Sequence, residues 1–186
     1  MPISPAPLAI RPSRSSTRPL RLPLQIVGGS LLMALAAHVA VPFWPVPLTL
    51  QTLALLSLGA AFGPVAAFGA VLAWIAEGVI GLPVFASGAG AGVLLGPTGG
   101  YIVGYLSAAL LAGVAAQFGR RGAVIDTVAA FLAAEIVLFA CGVGWLAHLV
   151  GWQRAVAGGL TPFLLGEALK IALATAGALA LRHRRA

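Results

Sequence analysis

The feature that most constrains this chain is a succession of long apolar segments that carry few charges. Between residues 22 and 181 they are separated by short polar stretches and by breaks rich in glycine or proline. An apolar segment of about 20 residues is long enough to cross a bilayer as a helix. Only 8% of the 186 residues are charged, whereas soluble domains carry roughly 25% charged residues. The sequence therefore predicts an all-α, polytopic membrane protein.

The breaks define six predicted transmembrane helices and leave no room for a separate soluble domain. The predicted helices cover residues 22–41, 48–62, 64–80, 99–118, 124–149 and 161–181. Residues 22–186 are thus predicted to form one six-helix domain, with a brief interfacial turn after residue 151. Residues 1–21 are rich in Pro, Ser and Arg and contain no acid, which is typical of a disordered basic tail. A targeting peptide or a cleavable signal peptide is the alternative for this segment.

Positive charge predicts the orientation of the helices. With the N-terminus in the cytoplasm, nine basic residues fall inside: four before the first helix, two after the fourth and three after the sixth. Arg154 then falls outside, and Lys170 lies within a span. Because cytoplasmic loops carry an excess of Lys and Arg, both termini are predicted to be cytoplasmic. The irregular segments 42–48 and 81–98 are then predicted to lie on the outer side.

An acid and a base, Glu167 and Lys170, lie three positions apart in the last apolar segment. On a helix this spacing puts both side chains on one face, and ionisable groups in a span normally face an interior site. Glu167 would accept N–H groups, and Lys170 would donate to a carbonyl or carboxylate oxygen. This predicts a small, partly apolar, hydrogen-bonding ligand bound in the outer half. A purely structural ion pair is the alternative, since the two charges can neutralise each other.

Other polar side chains are candidates to complete this pocket. Thr49 and Gln51 open the second predicted helix, where they either line the pocket or simply cap the helix. Glu77, near the end of the third helix, is predicted to lie in the outer half and either faces the pocket or reaches the interface. Glu135, in the middle of the fifth helix, is a weaker candidate for an internal polar contact.

The two outer segments have compositions that exclude ordinary helices. Residues 42–47 contain three prolines, which break the helical hydrogen-bond ladder. Residues 81–98 are rich in glycine and uncharged, and such irregular backbone is tolerated at membrane depth where protein buries it over a cavity. The glycines lack the spacing of a phosphate-binding loop.

Small residues four positions apart on the first helix allow close helix contacts. Ala36 and Ala40 form one such pair, and Ser30 and Ala34 form another. They serve either to pack this helix within the chain or to dock it on another membrane protein.

Several classes of function have no support in the sequence. It contains no HExxH or GxSxG motif, no Cys/His spacing suited to a metal and no ATPase motif, so no catalytic residue, metal or cofactor is predicted. The pI is near 11.4, but the basic residues flank apolar blocks and do not form the aromatic-interleaved basic face of a nucleic-acid-binding protein. No nucleic-acid partner is expected.

Three motifs together resemble the BioY family of bacterial biotin transporters. They are Pro-Val-Pro-Leu-Thr-Leu-Gln-Thr-Leu at 45–53, Gly-Leu-Pro-Val-Phe-Ala at 81–86 and Gly-Pro-Thr-Gly-Gly-Tyr at 96–101. The resemblance covers about residues 22 to 182. It implies a six-helix substrate-binding S component of an energy-coupling factor (ECF) transporter in the bacterial cytoplasmic membrane. In that family the S component pairs with a transmembrane coupling protein and two ABC ATPases, and homo-oligomers are possible.

The resemblance also implies roles for individual residues. Glu167 and Lys170 match an acid and a lysine that contact biotin, although the family acid is commonly Asp. Glu77 is the best match for a polar contact near the end of the third helix, and Tyr101 of the third motif is assigned to the same pocket. Ala36 and Ala40 resemble the small-residue motif that docks on the coupling protein, and residues 42–48 resemble the family's lid.

High-affinity capture of biotin from the outer side is therefore the first functional hypothesis, with biotin as substrate and no cofactor. The second is a stand-alone, proton-coupled transporter that uses Glu135, Glu167 and Lys170 as a relay. A structural membrane subunit without a ligand is a third hypothesis, and a membrane enzyme has no nucleophile and base to support it.

Overall fold

The computed structural model describes residues 18–117 and 123–185, and most of them are helical. Within these ranges there are seven α-helices: α1 Arg18–His38, α2 Gln51–Phe62, α3 Pro64–Val79, α4 Gly99–Val114, α5 Ala123–Val150, α6 Trp152–Gly159 and α7 Leu164–Arg185. Two strands, β1 Ala40–Val41 and β2 Leu48–Thr49, pair antiparallel between α1 and α2. Short 3₁₀ helices cover Ala91–Leu95 and Ala115–Gln117. The predicted all-α class is confirmed.

The helix boundaries correct two predictions. The predicted basic tail ended at residue 21, but residues 18–21 are part of α1, which continues through Pro23; residues 1–17 lie outside the described ranges. The predicted turn after residue 151 is a helix of its own, α6, because the positive φ of Gly151 redirects the chain after α5. The sixth predicted helix therefore corresponds to α7, which begins at Leu164.

The apolar helices fall into two length classes. Among the described residues, three helices are long and apolar enough to cross a membrane: Leu20–His38, Val124–Val150 and Leu164–Arg184. The apolar helices α2, α3 and α4 are shorter, with 12, 16 and 16 residues. Exposed leucines, valines and isoleucines are frequent on the helices, as lipid-facing surfaces require. The chain is a multi-pass membrane protein.

Glycines bring α4 and α5 into close contact. A β-carbon on Gly100 would overlap Trp145 and the backbone of Cys141, and one on Gly104 would press against Leu138. Both positions therefore need glycine or a local shift of the neighbouring atoms.

The small residues of α1 face inward. Gly29 lies against Ala70 of α3, and Ser30 and Ala36 are buried. Ala40 is exposed but belongs to β1, where it pairs with Thr49. Ala36 and Ala40 do not form an exposed docking face on α1, which corrects that prediction: packing within the chain uses Ala36, and the helix ends before Ala40.

One end of the helix bundle is closed by tight packing. The connection between α2 and α3 is the single turn at Gly63 and Pro64, with Pro64 in the first turn of α3 as predicted. Gly113 of α4 packs directly against the backbone of Pro64, and Gly59 of α2 packs against Ala112. At the same end, the Arg182 guanidinium donates to the Ala115 carbonyl oxygen and to Thr127 Oγ1.

The irregular segments lie at the other end of the bundle. Residues 42–47 contain no helix, as predicted, and the Trp44–Pro45 peptide bond is cis. The segment 81–98 is fixed by two indole groups: Trp74 Nε1 donates to Val84 O and Trp145 Nε1 donates to Gly96 O, both at 2.9 Å. His38 Nε2 lies 2.8 Å from Pro83 O and links the same segment to α1.

Candidate functional site

A cavity lies at the end of the bundle that carries the irregular segments. Most of its wall is apolar or aromatic, and the polar side chains gather on α2 and α7. Its lining residues are Val46, Pro47, Thr49, Gln51, Thr52, Trp74, Phe85, Ala86, Ser87, Thr98, Tyr101, Ile102, Tyr105, Leu138, Phe139, Phe163 and Glu167. Small-molecule sites typically have this mixture of apolar walls with a few polar groups. The glycine-rich segment contributes Phe85 to Ser87, so its predicted position over a cavity is confirmed.

The Lys170 ammonium is fully engaged in hydrogen bonds. Its Nζ donates to Glu167 Oε1 at 2.8 Å, to the Thr49 carbonyl oxygen at 2.6 Å and to Thr52 Oγ1 at 3.0 Å. An ammonium group has three donors, so each is used. The predicted proximity of Glu167 and Lys170 on one helix face is confirmed, and their pair ties α7 to the start of α2.

Glu167 lines the cavity and is 6% exposed. Its second carboxylate oxygen, Oε2, accepts a hydrogen bond from Thr52 Oγ1 at 2.6 Å. A carboxylate has about four acceptor positions in all, and these hydrogen bonds occupy two of them. Glu167 therefore keeps capacity to accept N–H groups from a ligand.

Gln51 supplies a free donor beside this acceptor. The residue is 5% exposed and lines the cavity. Its Oε1 accepts a hydrogen bond from Thr49 Oγ1 at 3.2 Å, but its Nε2 has no partner among the described residues. A buried amide N–H without a partner costs roughly 1–3 kcal/mol, so this donor is suited to a ligand oxygen.

Tyr101 forms part of the wall with its ring. Its hydroxyl donates to Gly159 O at 2.7 Å, and its ring meets Phe139 edge to face with centroids 5.9 Å apart. The hydroxyl is therefore committed to α6, and Tyr101 offers a ligand its aromatic surface. Contact with a ligand stays a prediction.

The structure places Glu77 outside this cavity. Its Oε1 accepts a hydrogen bond from Ser30 Oγ of α1 at 2.9 Å, and Glu77 is absent from the cavity lining. The assignment of Glu77 to the pocket is therefore corrected. The physical reason is the packing of α1 against α3, which brings Ser30 of α1 within hydrogen-bond distance of Glu77.

Lys170 also lies beside the cavity, and it does not line it. It borders a second groove, formed by α7 with the strands β1 and β2, and the two spaces share Thr49, Phe163 and Glu167 as a wall. A ligand in the main cavity meets Glu167 first and reaches Lys170 only if one of the three bonds of the ammonium is exchanged.

Several wall residues escaped the sequence predictions. Trp74, Tyr105, Phe139 and Phe163 line the cavity, and edge-to-face contacts connect neighbouring rings. Tyr101 and Tyr105 stand four positions apart, which puts both rings on one helix face; this spacing was the available signal. In the described part of the chain no three His, Cys, Asp or Glu side chains form a group that could hold a metal ion.

Comparisons with known proteins identify the family of the chain. The BioY family model matches residues 11–186. A probable biotin transporter BioY of Pyrococcus horikoshii is 35% identical over 144 residues, which cover 77% of this chain and 85% of that protein. The biotin transporter BioY2 of Lactococcus lactis subsp. cremoris is 33% identical over 159 residues, which cover 82% of this chain and 85% of that protein.

The fold is shared with a solved structure. The crystal structure of the S-component for biotin from an ECF-type ABC transporter superposes with a TM-score of 0.77. The superposition covers 91% of this chain and 94% of that chain, at 22% sequence identity. The two proteins therefore have the same overall fold.

Proposed function

Because the chain belongs to the BioY family, we propose that it binds biotin and carries it across the membrane as the S component of an ECF transporter. Proteins named biotin transporter cover most of this chain at 33% to 35% identity. The family and its relatives are transporters, and the protein acts as a transporter and not as an enzyme.

The observation that carries this proposal is the pairing of a free donor with a free acceptor in the cavity. Gln51 Nε2 has no partner among the described residues, and Glu167 keeps acceptor capacity on the same wall. The ureido group of biotin has one carbonyl oxygen and two N–H groups, which are complementary to this arrangement. We assign the ureido carbonyl to Gln51 and a ureido N–H to Glu167.

The rest of the cavity wall suits the apolar part of biotin. Trp74, Tyr105, Phe139 and Phe163 present aromatic surface, against which the apolar sulfur ring and the hydrocarbon chain of biotin are desolvated. The positive charge of Lys170 lies directly behind Glu167 and offsets the negative charge that the biotin carboxylate brings into the site.

The membrane topology is part of the proposal. Six apolar helices (α1 to α5 and α7) span the bacterial cytoplasmic membrane, with both termini in the cytoplasm. The nine-to-one bias of basic residues supports this orientation. The cavity then opens to the outer side, and a transmembrane coupling protein with ABC ATPases supplies the energy for release inside.

The test is isothermal titration of the purified protein with biotin, with thiamine and riboflavin as controls. Biotin should bind, and the two other vitamins should not. Gln51→Leu should weaken biotin binding by about tenfold, because it removes one buried hydrogen bond to the ligand. The matched control is Gln153→Leu, at an exposed position of α6, which should bind as the unmodified protein does. Equal affinity of Gln51→Leu and Gln153→Leu would overturn the assignment of the ureido end.

A further inference from the structure

A second acid is buried in the membrane domain without a partner. Glu135, in the middle of α5, is 7% exposed. Neither of its carboxyl oxygens has a hydrogen-bond partner among the described residues. Charged carboxylates in apolar surroundings are very costly unless they are paired, so this side chain needs a separate explanation.

Glu135 lies directly below the cavity. Leu138 and Phe139, three and four positions further along α5, line the cavity wall, and this spacing places all three side chains on one helix face. In the proposed orientation Glu135 is one turn closer to the cytoplasm than the cavity.

The charges around Glu135 can be counted. The charged and titratable residues of α5 and of the helices packed on it are, within the described ranges, Tyr101, Tyr105, Asp126, Cys141, His148, Arg154, Glu167, Lys170, Arg182, His183, Arg184 and Arg185. Those that interact electrostatically with Glu135 are Tyr105, Glu167 and Lys170.

Lys170 is the one positive charge in this group, which contains two acids, Glu135 and Glu167. Lys170 is paired at 2.8 Å with Glu167, whose two oxygens both accept hydrogen bonds. A negative charge on Glu135 would repel Glu167 and would have no cation of its own in this group. The arrangement is neutral when Glu135 carries a proton.

We propose that Glu135 is a proton-binding site linked to substrate binding, so that an anionic substrate entering the cavity draws a proton onto the Glu135 carboxylate. This inference rests on the proposed function, because biotin carries one carboxylate. The substrate's negative charge disfavours ionised Glu135, so the substrate binds more tightly to the protonated form. The step is the addition of one proton from solvent to the carboxylate to give the neutral acid, with no other bond changed.

The sign of the pH dependence follows. Below the pH at which Glu135 ionises in the free protein, the proton is already bound and affinity does not depend on this group. As the pH rises above that point, biotin affinity should fall by up to about tenfold per pH unit, since one proton is then taken up with each biotin. Glu135→Gln, which is permanently neutral, should keep its affinity over the same range.

The experiment is isothermal titration of the full-length protein with biotin over a range of pH, in buffers of different ionisation enthalpy. Proton uptake appears as a dependence of the heat on the buffer. Uptake should be present in the unmodified protein and in Asp126→Asn, an acid-to-amide control at an exposed position of α5, and absent in Glu135→Gln. Biotin amide, which lacks the negative charge, should cause far less uptake than biotin. Equal uptake with biotin and biotin amide, or in the unmodified protein and Glu135→Gln, would overturn the linkage.

An infrared measurement on the ligand-free protein separates this proposal from the proposed function. At a pH below the ionisation of Glu135 in the free protein, a carbonyl band of a neutral carboxyl group should be present in the unmodified protein and in Asp126→Asn, and lost in Glu135→Gln. If biotin does not bind but this band behaves as expected, the proposed function fails and the proton site stands. If biotin binds but Glu135→Gln leaves the infrared spectrum unchanged, the proton site is wrong.

Discussion

The two ends of the helix bundle are held together by different types of residue. At the closed end, glycine and alanine allow backbones to touch, as Gly113 does at Pro64, and one short turn joins α2 to α3. At the cavity end, aromatic side chains hold the helices apart, and Thr52, Glu167 and Lys170 connect α2 to α7 through hydrogen bonds. The first end is held mainly by close packing of small residues, beside the hydrogen bonds of Arg182 to Ala115 and Thr127. The second end is held by polar groups that a ligand can replace.

This difference explains where a substrate can enter. Small residues in close contact leave little space between the helix backbones, and separating them exposes mainly apolar surface. Polar groups around a cavity exchange one partner for another at little net cost. Substitutions at the cavity end should therefore change binding, and substitutions at the closed end should change stability.

The largest effect on binding is expected from Lys170→Ala. The substitution leaves the Glu167 carboxylate buried beside an anionic ligand without a counterion, and such a loss costs roughly 3–5 kcal/mol. Biotin affinity measured by titration should fall more than about 100-fold, with helical content retained in circular dichroism. Arg154→Ala, which removes an exposed base of α6, is the control and should bind normally. If Lys170→Ala bound biotin with unchanged affinity, the ion pair would not be part of the binding site.

At the closed end, Gly113→Leu should lower thermal stability. The new side chain has to displace the backbone at Pro64, and overpacking of this kind costs about 1–3 kcal/mol. Thermal unfolding in detergent should show a lower midpoint, while the folded protein should bind biotin with its usual affinity. Gly177→Leu on α7, where a side chain has open space, should leave the midpoint nearly unchanged. A loss of biotin affinity without a loss of stability would contradict the division between the two ends.

The smallest effect is expected from Glu77→Gln. The side chain bonds Ser30 between α1 and α3, and hydrogen bonds between membrane helices contribute only about 0.6 kcal/mol on average. Biotin affinity should stay within about twofold of the unmodified protein. Glu167→Gln provides the comparison, since the same change inside the cavity should weaken binding strongly. Similar losses of biotin affinity in both variants would show that Glu77 is part of the binding site.

The sequence predicted the helical membrane fold because charge-free segments leave the backbone few alternatives in a bilayer. The pairing of Glu167 with Lys170 followed from a local spacing, which the helix converts directly into proximity. Contacts between distant segments were not accessible in this way. Thr52 donates a hydrogen bond to Glu167, which lies 115 positions further along the chain. The residue pattern within each helix does not predict this contact.

The two acids of α3 and α5 illustrate the same limit. Glu77 and Glu135 both interrupt apolar helices, and the sequence favoured Glu77 because of its position and its resemblance to a family contact. In the structure Glu77 bonds Ser30, whereas Glu135 is buried beneath the cavity. Which face of a helix points inward depends on how the neighbouring helices pack, and a single acid in an apolar helix does not reveal that.

The tryptophans give the protein an optical property. Trp74 is 1% exposed, lines the cavity and holds the glycine-rich segment through its indole N–H. Trp44 and Trp152 are largely exposed and report on the surroundings of the protein. Replacing these two with phenylalanine leaves Trp74 and Trp145 as the fluorescent residues. Trp74 lies in the wall of the cavity, and Trp145 fixes the other end of the glycine-rich segment through its bond to Gly96. The intrinsic fluorescence of such a variant then follows occupancy of the cavity in real time, without a dye attached to either protein or substrate.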